Sequence, residues 1–337
     1  MKVSCPKCSK VYDISDERIQ ALGNHIIFSC QACQEKIEIN LDEKEKTEKQ
    51  DEIPEKLFGA ALKNRILSKV EDLPPMPQVA QKARQVIADE NSSFKDLATV
   101  IETDQAIAAR VLKIANSSYY GASTNVRSVQ QASVVLGMKT LHELLTLACA
   151  SSVLGSELKG YGLSSGDLWR HSLATAFCAR SIASKKDPKF ADDSFSAGLI
   201  HDSGKLILDP YIDERKEEFA EFLEAGGKSF LDAERSILGF DHSEIAADVC
   251  NKWQIPKTIT NVIRYHHNPS QSQNKDFAYI IHAADAIAMM SGLGAGMDGA
   301  MYMLDDLAIK RLGLKNDDIS MLMAEAVEYV EETTGSF

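Results

Sequence analysis

Residues 198–205 read Gly198-Leu199-Ile200-His201-Asp202-Ser203-Gly204-Lys205. An imidazole and a carboxylate stand side by side, and a lysine follows three residues after the acid. Imidazole with carboxylate suits Fe, Mn, Zn or Ni rather than Mg or Ca alone. Lys205, three residues past Asp202, can present a cation to a phosphate from the same face.

Outward from this stretch the same residue types recur. Of eight histidines, six fall between 171 and 282. Asp167 and His171 are spaced i, i+4, which places them on one helix face. His242 follows Gly239-Phe240-Asp241, His266 and His267 are adjacent, and His282 and Asp285 are spaced i, i+3. A carboxylate can bridge two ions, and two ions together can polarise a phosphoryl group and generate hydroxide. Each piece alone is weak, because a lone histidine on an apolar face is usually a satisfied core residue. His25 and His142 are placed in that class. His282 stays open between the core and a hydrogen-bond donor that orients Asp285 or a ligand histidine.

The pattern around these residues is helical. From about Leu62 onward it is so almost throughout, and abundant Ala, Leu and Ile with only 7% aromatics lean the same way. Leu73-Pro-Pro-Met-Pro77 is a rigid entry into a helix at about 78–89. Asp104 is expected to cap a helix in which Ile107, Val111 and Ala115 recur at i, i+4, i+8, and which stops at Asn116-Ser-Ser-Tyr-Tyr-Gly121. Ser128 opens another helix and Gly137 closes it. A long apolar helix follows at about 138–154, then a break at Gly160–Gly166, and helices resume at Asp167. A last amphipathic helix runs from Asp317-Asp318 to about Glu331.

The first forty residues differ. Cys5-Pro-Lys-Cys8 is separated by twenty-one residues from Cys30-Gln-Ala-Cys33. Two such pairs place four soft thiolates around one tetrahedral ion, which predicts a Zn²⁺ site. Unrelated free thiols are the bland alternative, and a redox Cys-x-x-Cys another, although redox motifs come singly at a helix start. Ile26-Ile27-Phe28 and the alternation of Ile37 and Ile39 read as short strands. Five Lys or Arg balance five acids here, so a protein-interaction or folding role is favoured over DNA binding. In residues 41–57 eleven of seventeen are charged, which reads as a solvated linker. Cys149, Cys178 and Cys250 sit singly in apolar stretches as small buried hydrophobes.

Composition bounds the function classes. The chain has 337 residues, 44% hydrophobic, and a formal net charge of −12, enough for a packed core but adverse to general nucleic-acid binding through phosphate neutralisation. No segment reaches the roughly 18 apolar residues needed to span a bilayer. The start, MKVSCPKC, lacks the apolar region of a secretory signal, so a cytoplasmic location without membrane attachment is expected.

Taken together and in order, these residues support a resemblance. His171, His201-Asp202 and Asp285 are similar to the metal-ligand pattern of the HD superfamily of phosphohydrolases. Leu73–Pro77, Asp104 to Gly121, Ser128 to Gly137, Trp169-x-His171-Ser172, Gly198 to Lys205, Trp253-x-x-Pro256 and His266-His267-x-Pro269 together resemble the HDOD family, a regulatory branch of it. The cysteine module resembles the zinc ribbon at the start of many bacterial proteins.

The resemblance implies a mainly α chain, an all-helical HD-superfamily domain preceded by a small β zinc ribbon. Its division would be 1–40 ribbon, 41–57 charged linker, 58–158 N-terminal helical half, 159–295 HD-like half and 296–337 helical extension. It further implies one ion on His171, His201, Asp202 and Asp285, and a second bridged by Asp202 to His242 and one or both of His266 and His267. Lys205 would face a phosphate and, with Asp202, be catalytic if the site is active, and Asp167 is a possible additional ligand. The cofactors expected are Zn²⁺ in the ribbon and one or two divalent transition-metal ions in the HD-like site. Many members have lost ligands and serve as signalling output modules, whereas this chain keeps a set close to that of the HD-GYP cyclic-dinucleotide phosphodiesterases. It departs from them after His266-His267, where their acidic residue and Gly-Tyr-Pro are replaced by Asn268-Pro-Ser-Gln-Ser-Gln. A regulatory module that binds a signalling protein or a small phosphate-containing ligand is therefore expected, with a metal-dependent phosphohydrolase of a (cyclic) nucleotide as the alternative.

Overall fold

Helix starts and stops are set locally by capping chemistry. In a computed structural model of the chain, the residues described are 2–4, 11–13, 25–40, 57–69, 82–83, 85–86, 89, 92–117, 119–120, 126–294, 296–297 and 304–334. The chain divides into two units, 1–57 and 58–337. Cys5, Cys8, all of the charged stretch but Leu57, and the Leu73–Pro77 entry lie outside the described residues.

In the first unit, β1 (Lys2–Ser4) pairs antiparallel with β2 (Val11–Asp13), placing Val3 opposite Tyr12. β3 (His25–Ser29) pairs antiparallel with β4 (Lys36–Asn40), from His25 opposite Asn40 to Ser29 opposite Lys36. The connection is tight: the Cys30 amide donates to Glu35 O at 2.7 Å and the Gln34 amide to Cys30 O at 2.8 Å.

The second unit is helical. α1 is Gly59–Lys69, α2 Phe94–Glu102, α3 Gln105–Ala115 and α4 Val129–Leu154. α5 is Asp167–Lys186, α6 Ala191–Ile200, α7 Gly204–Asp213, α8 Lys216–Glu224 and α9 Phe230–Ile237. α10 is His242–Lys252, α11 Lys257–Arg264, α12 Lys275–Met290, α13 Asp306–Leu312 and α14 Asn316–Thr334. Asp104 caps α3 by accepting from the Ile107 amide, and Ser128 caps α4 by accepting from the Gln131 amide. Gly137, at φ +83°, interrupts α4 where the sequence placed a stop.

α5 is the central helix, packed by α6, α12, α14 and α4, while α2 and α3 lie on α4. Its buried face is rich in alanine, and α6 meets it at Gly198, where an added Cβ would lie 2.8 Å from the Ala176 Cα. α7 crosses α10 as closely: an added Cβ at Gly204 would lie 2.0 Å from the His242 carbonyl oxygen. Although α1 opens the 58–158 stretch, it lies against α10. There Lys63 pairs with Glu244 and Asp248 at 2.8 Å, and the Gly59 amide donates to Leu238 O. In the extension, α13 packs on α12 and α14 on α5 and α12. Cys149, Cys178 and Cys250 are buried, and burial pushes the Cys149 and Cys250 thiols up to about 12, as suits small hydrophobes. Among the described residues, no helix is long and apolar enough to cross a membrane.

Candidate metal centre

Four helical segments and two turns supply the site. His171 lies in the second turn of α5, His201 caps α6, and Asp202 follows in the turn to α7. His242 is the first residue of α10, held there by the Asp241 cap, which accepts from the Glu244 amide at 3.0 Å. His266 and His267 follow α11, and Asp285 lies in the middle of α12. The periodicity that buries these helices thus also buries their ligand-type side chains. His171, His201, Asp202, His242, His266 and Asp285 are all at most 5% exposed.

The seven converge. Ligand atoms of Asp202, His242, His266 and His267 lie within 4.8 Å of one another, and the same holds for His171, His201 and Asp202, and for His201, His266 and Asp285. Asp202 stands between the first two groups. Its Oδ1 is 3.4 Å from His201 Nε2, 3.3 Å from His242 Nε2 and 3.7 Å from His266 Nε2; its Oδ2 is 3.6 Å from His171 Nε2. Asp285 Oδ1 lies 3.1 Å from His171 Nε2 and 3.6 Å from His201 Nε2. Lys205 Nζ pairs with Asp202 Oδ2 at 2.7 Å.

The outer nitrogens explain why the inner ones point inward. His201 Nδ1 is 2.7 Å from Gly198 O, His266 Nδ1 2.6 Å from Ile263 O, and His171 Nδ1 3.3 Å from Leu293 O. His242 Nδ1 is 2.8 Å from the Glu234 carboxylate. Each contact makes Nδ1 a donor and turns Nε2 toward the cluster, where it offers a lone pair when the ring is neutral. His171 Nε2, His201 Nε2, His266 Nε2 and Asp202 Oδ1 are buried without a hydrogen-bond partner of good geometry. Buried polar atoms left so are costly. A divalent ion satisfies them, so these residues fit a metal.

Burial alone would raise the Asp202 carboxyl, but His201, Lys205 and His242 hold it well below the usual range. Asp285 is likewise held down against burial by His171 and His201. Burial opposes a charge on His242, yet Glu234 and then Asp202 raise it to about 10. Burial, with His201 beside it, pushes His266 down to about 3, and burial, His266 and His242 push His267 well down. Those two rings are neutral donors over the physiological range.

One predicted feature lands elsewhere. Asp167 is outside the cluster: its carboxylate accepts from the Ser164 amide at 2.8 Å and closes the start of α5. His282 is a brace, with Nδ1 2.9 Å from His266 O and Nε2 accepting from the Asp305 amide at 3.2 Å. Sequence reasoning missed Glu234, fully buried, and Tyr161, whose hydroxyl donates to Glu234 at 2.6 Å. In the first unit, Cys30 is buried and Cys33 half-buried. The Tyr12 hydroxyl lies 3.0 Å from Cys30 Sγ, and that contact, despite burial and helped by the Ala32 and Cys33 amides, lowers the thiol to about 6.

Known proteins share this architecture. An HDOD-domain protein of unknown function from Geobacter sulfurreducens superposes with a TM-score of 0.67 at 23% identity, covering 82% of this chain and 97% of its own. A candidate phosphohydrolase from Shewanella amazonensis SB2B gives 0.62 at 22% identity, covering 80% and 97%. A candidate signal transduction protein from Marinobacter aquaeolei VT8 gives 0.63 at 22%, covering 95% and 76%. In sequence, an uncharacterized protein from Treponema pallidum (strain Nichols) is 26% identical over 209 residues, 60% of this chain and 39% of the relative's length. The sequence pattern of the HDOD domain matches residues 73–269, more than half of the chain, so this protein belongs to the HDOD domain family.

Proposed function

We propose that the protein is a regulatory signal-transduction module whose buried histidine/aspartate cleft holds divalent transition metal and binds a phosphate-bearing ligand or a partner protein. The convergence of seven ligand-type side chains, with buried inner atoms that lack hydrogen bonds, carries this reading. His171, His201, Asp202 and Asp285 would hold one ion, and Asp202, His242, His266 and His267 a second. An ion there supplies Lewis acidity toward a phosphoryl oxygen and lowers the pKa of bound water. Lys205, buried against Asp202, would add a cation beside a bound ion and so favour an anionic ligand. A regulatory role is supported by the Asn268-Pro269 turn after the double histidine, which offers no carboxylate there, and by the separate N-terminal unit.

That unit we read as a zinc ribbon serving as an interaction module. The lowered Cys30 thiol, beside Cys33 in the β3–β4 turn, favours the thiolate that a zinc ion needs. Changing Cys30 and Cys33 together to serine is expected to remove one zinc per chain and leave the metal of the helical unit in place. Full zinc content in that variant would contradict the ribbon.

The complete donor set and Lys205 favour a second reading, a metal-dependent phosphohydrolase of a (cyclic) nucleotide. Metal analysis of the full-length protein, followed by incubation with linear and cyclic nucleotides, separates the two. About two ions beyond the ribbon zinc, with nucleotide binding but no turnover, supports regulation. Metal-dependent phosphate release moves the protein to the hydrolase reading, and absence of metal from the helical unit overturns both.

A further inference from the structure

Glu234 has no exposed surface, and a carboxylate removed from water is strongly disfavoured unless donors and positive charge meet it. Its contacts answer that need. The Tyr161 hydroxyl donates to Oε1 at 2.6 Å and the His242 amide to Oε2 at 2.9 Å; His242 Nδ1 lies 2.8 Å from Oε2 and 3.0 Å from Oε1. On the far side of the same ring, Nε2 faces Asp202 Oδ1 at 3.3 Å and His267 Nε2 at 2.9 Å. The chain Tyr161–Glu234–His242 therefore ends at the cluster.

The arrangement is asymmetric. His171, His201 and His266 rest their Nδ1 atoms on the neutral carbonyls of Leu293, Gly198 and Ile263, whereas His242 rests on a carboxylate. A carboxylate behind an imidazole fixes the tautomer and makes the opposite nitrogen a stronger donor than a carbonyl does. We infer that Glu234 is a positioning residue for one ion only, the one on Asp202, His242, His266 and His267, and that Tyr161 in turn fixes Glu234. The ion on His171, His201, Asp202 and Asp285 shares only Asp202 with that ion and keeps its own histidines, which rest on carbonyls. This inference rests on the metal-site reading above.

Metal-free full-length wild type, Glu234→Gln and Tyr161→Phe would be titrated with Mn²⁺, with electron paramagnetic resonance reporting both free ion and spin coupling between bridged ions. Mn²⁺ favours nitrogen and oxygen donors, so the thiolates of the first unit contribute little. Wild type is expected to bind about two ions and to show the coupled signal. In Glu234→Gln one ion should bind as in wild type and the other about 10–100-fold more weakly. The coupled signal should then appear only at correspondingly higher Mn²⁺. Tyr161→Phe should shift the same step in the same direction by less, and it decides the matter if Glu234→Gln does not fold. A Glu234→Gln titration like wild type, or equal weakening of both ions, overturns the inference while the metal site stands. If wild type itself binds no pair, the metal-site reading falls and this inference with it.

Discussion

Two polar clusters of the helical unit differ in what they lack. At the candidate metal centre, imidazoles and carboxylates crowd together, and His171 Nε2, His201 Nε2, His266 Nε2 and Asp202 Oδ1 have no hydrogen-bond partner of good geometry. At the junction of α4, α5 and α14, by contrast, charge and hydroxyl groups satisfy one another. Glu143 Oε2 pairs with Arg180 Nη1 at 2.7 Å, and Tyr120 donates to Glu143 Oε1. The Tyr120 and Tyr329 hydroxyls lie 3.3 Å apart, and the Arg180 guanidinium covers the Phe195 ring at 4.3 Å. Both clusters would be costly if left incomplete. The second is closed by the chain itself and behaves as a strut, whereas the first, on the metal-site reading above, would be completed by an ion. Removing a group from the open cluster should therefore cost binding, and removing one from the closed cluster should cost stability.

The largest effect is expected at Asp202, the group shared by both halves of the open cluster. Asp202→Ala should abolish metal uptake by the helical unit, read as ions per chain after dialysis, while cooperative unfolding persists. If the ion count stays the same and stability falls instead, the contrast between the clusters fails. Arg180→Met makes the converse test. It leaves Glu143 half-buried opposite tyrosine hydroxyls, and should cost about 3 kcal/mol in denaturant unfolding, the lower end for a buried pair, with metal content per folded chain unchanged.

Between these lies a backbone effect that touches the open cluster only through its frame. Gly204 sits where α7 crosses α10, and a Cβ there would meet the His242 carbonyl at 2.0 Å. Gly204→Ala must push apart the helices that follow Asp202 and begin with His242. Overpacking of this kind costs about 1–3 kcal/mol, and here it should weaken metal binding as well. Loss of stability with unaltered metal affinity would show that the cluster tolerates a shift of its helices.

Much of the open cluster was legible because its chemistry is rare in helical cores and its members follow one another in order: His171, His201-Asp202, His242, His266-His267, Asp285. Caps such as Asp104 and Ser128, and the break at Gly137, were legible for a similar reason, since each acts on residues within one turn. Glu234 and Tyr161 were not, because an acid on a short amphipathic helix and a tyrosine in a glycine-rich break acquire their role only where both meet His242. Asp167 failed in another way. Its spacing from His171 placed it on the right face, but spacing cannot say that the Ser164 amide takes the carboxylate first. The docking of α1 on α10 was hidden too, because Lys63 finds Glu244 and Asp248 across more than half of the chain.

The smallest effect sharpens the comparison most. Lys139 on α4 pairs with Asp192 on α6 at 3.0 Å, and so ties the same helix α4 to a neighbour, as the Arg180–Glu143 pair ties it to α5. The difference is solvent: these side chains are 76% and 63% exposed, against 20% and 15% for the buried pair. In water each charge keeps most of its hydration and salt screens the attraction, so holding two long side chains together gains little. Lys139→Ala should shift unfolding by no more than about 0.5 kcal/mol, and the shift should vanish as salt is raised. A cost approaching that of Arg180→Met would mean that the halves are joined by charge pairing in general rather than by the closed cluster around Tyr120, Glu143, Arg180 and Tyr329.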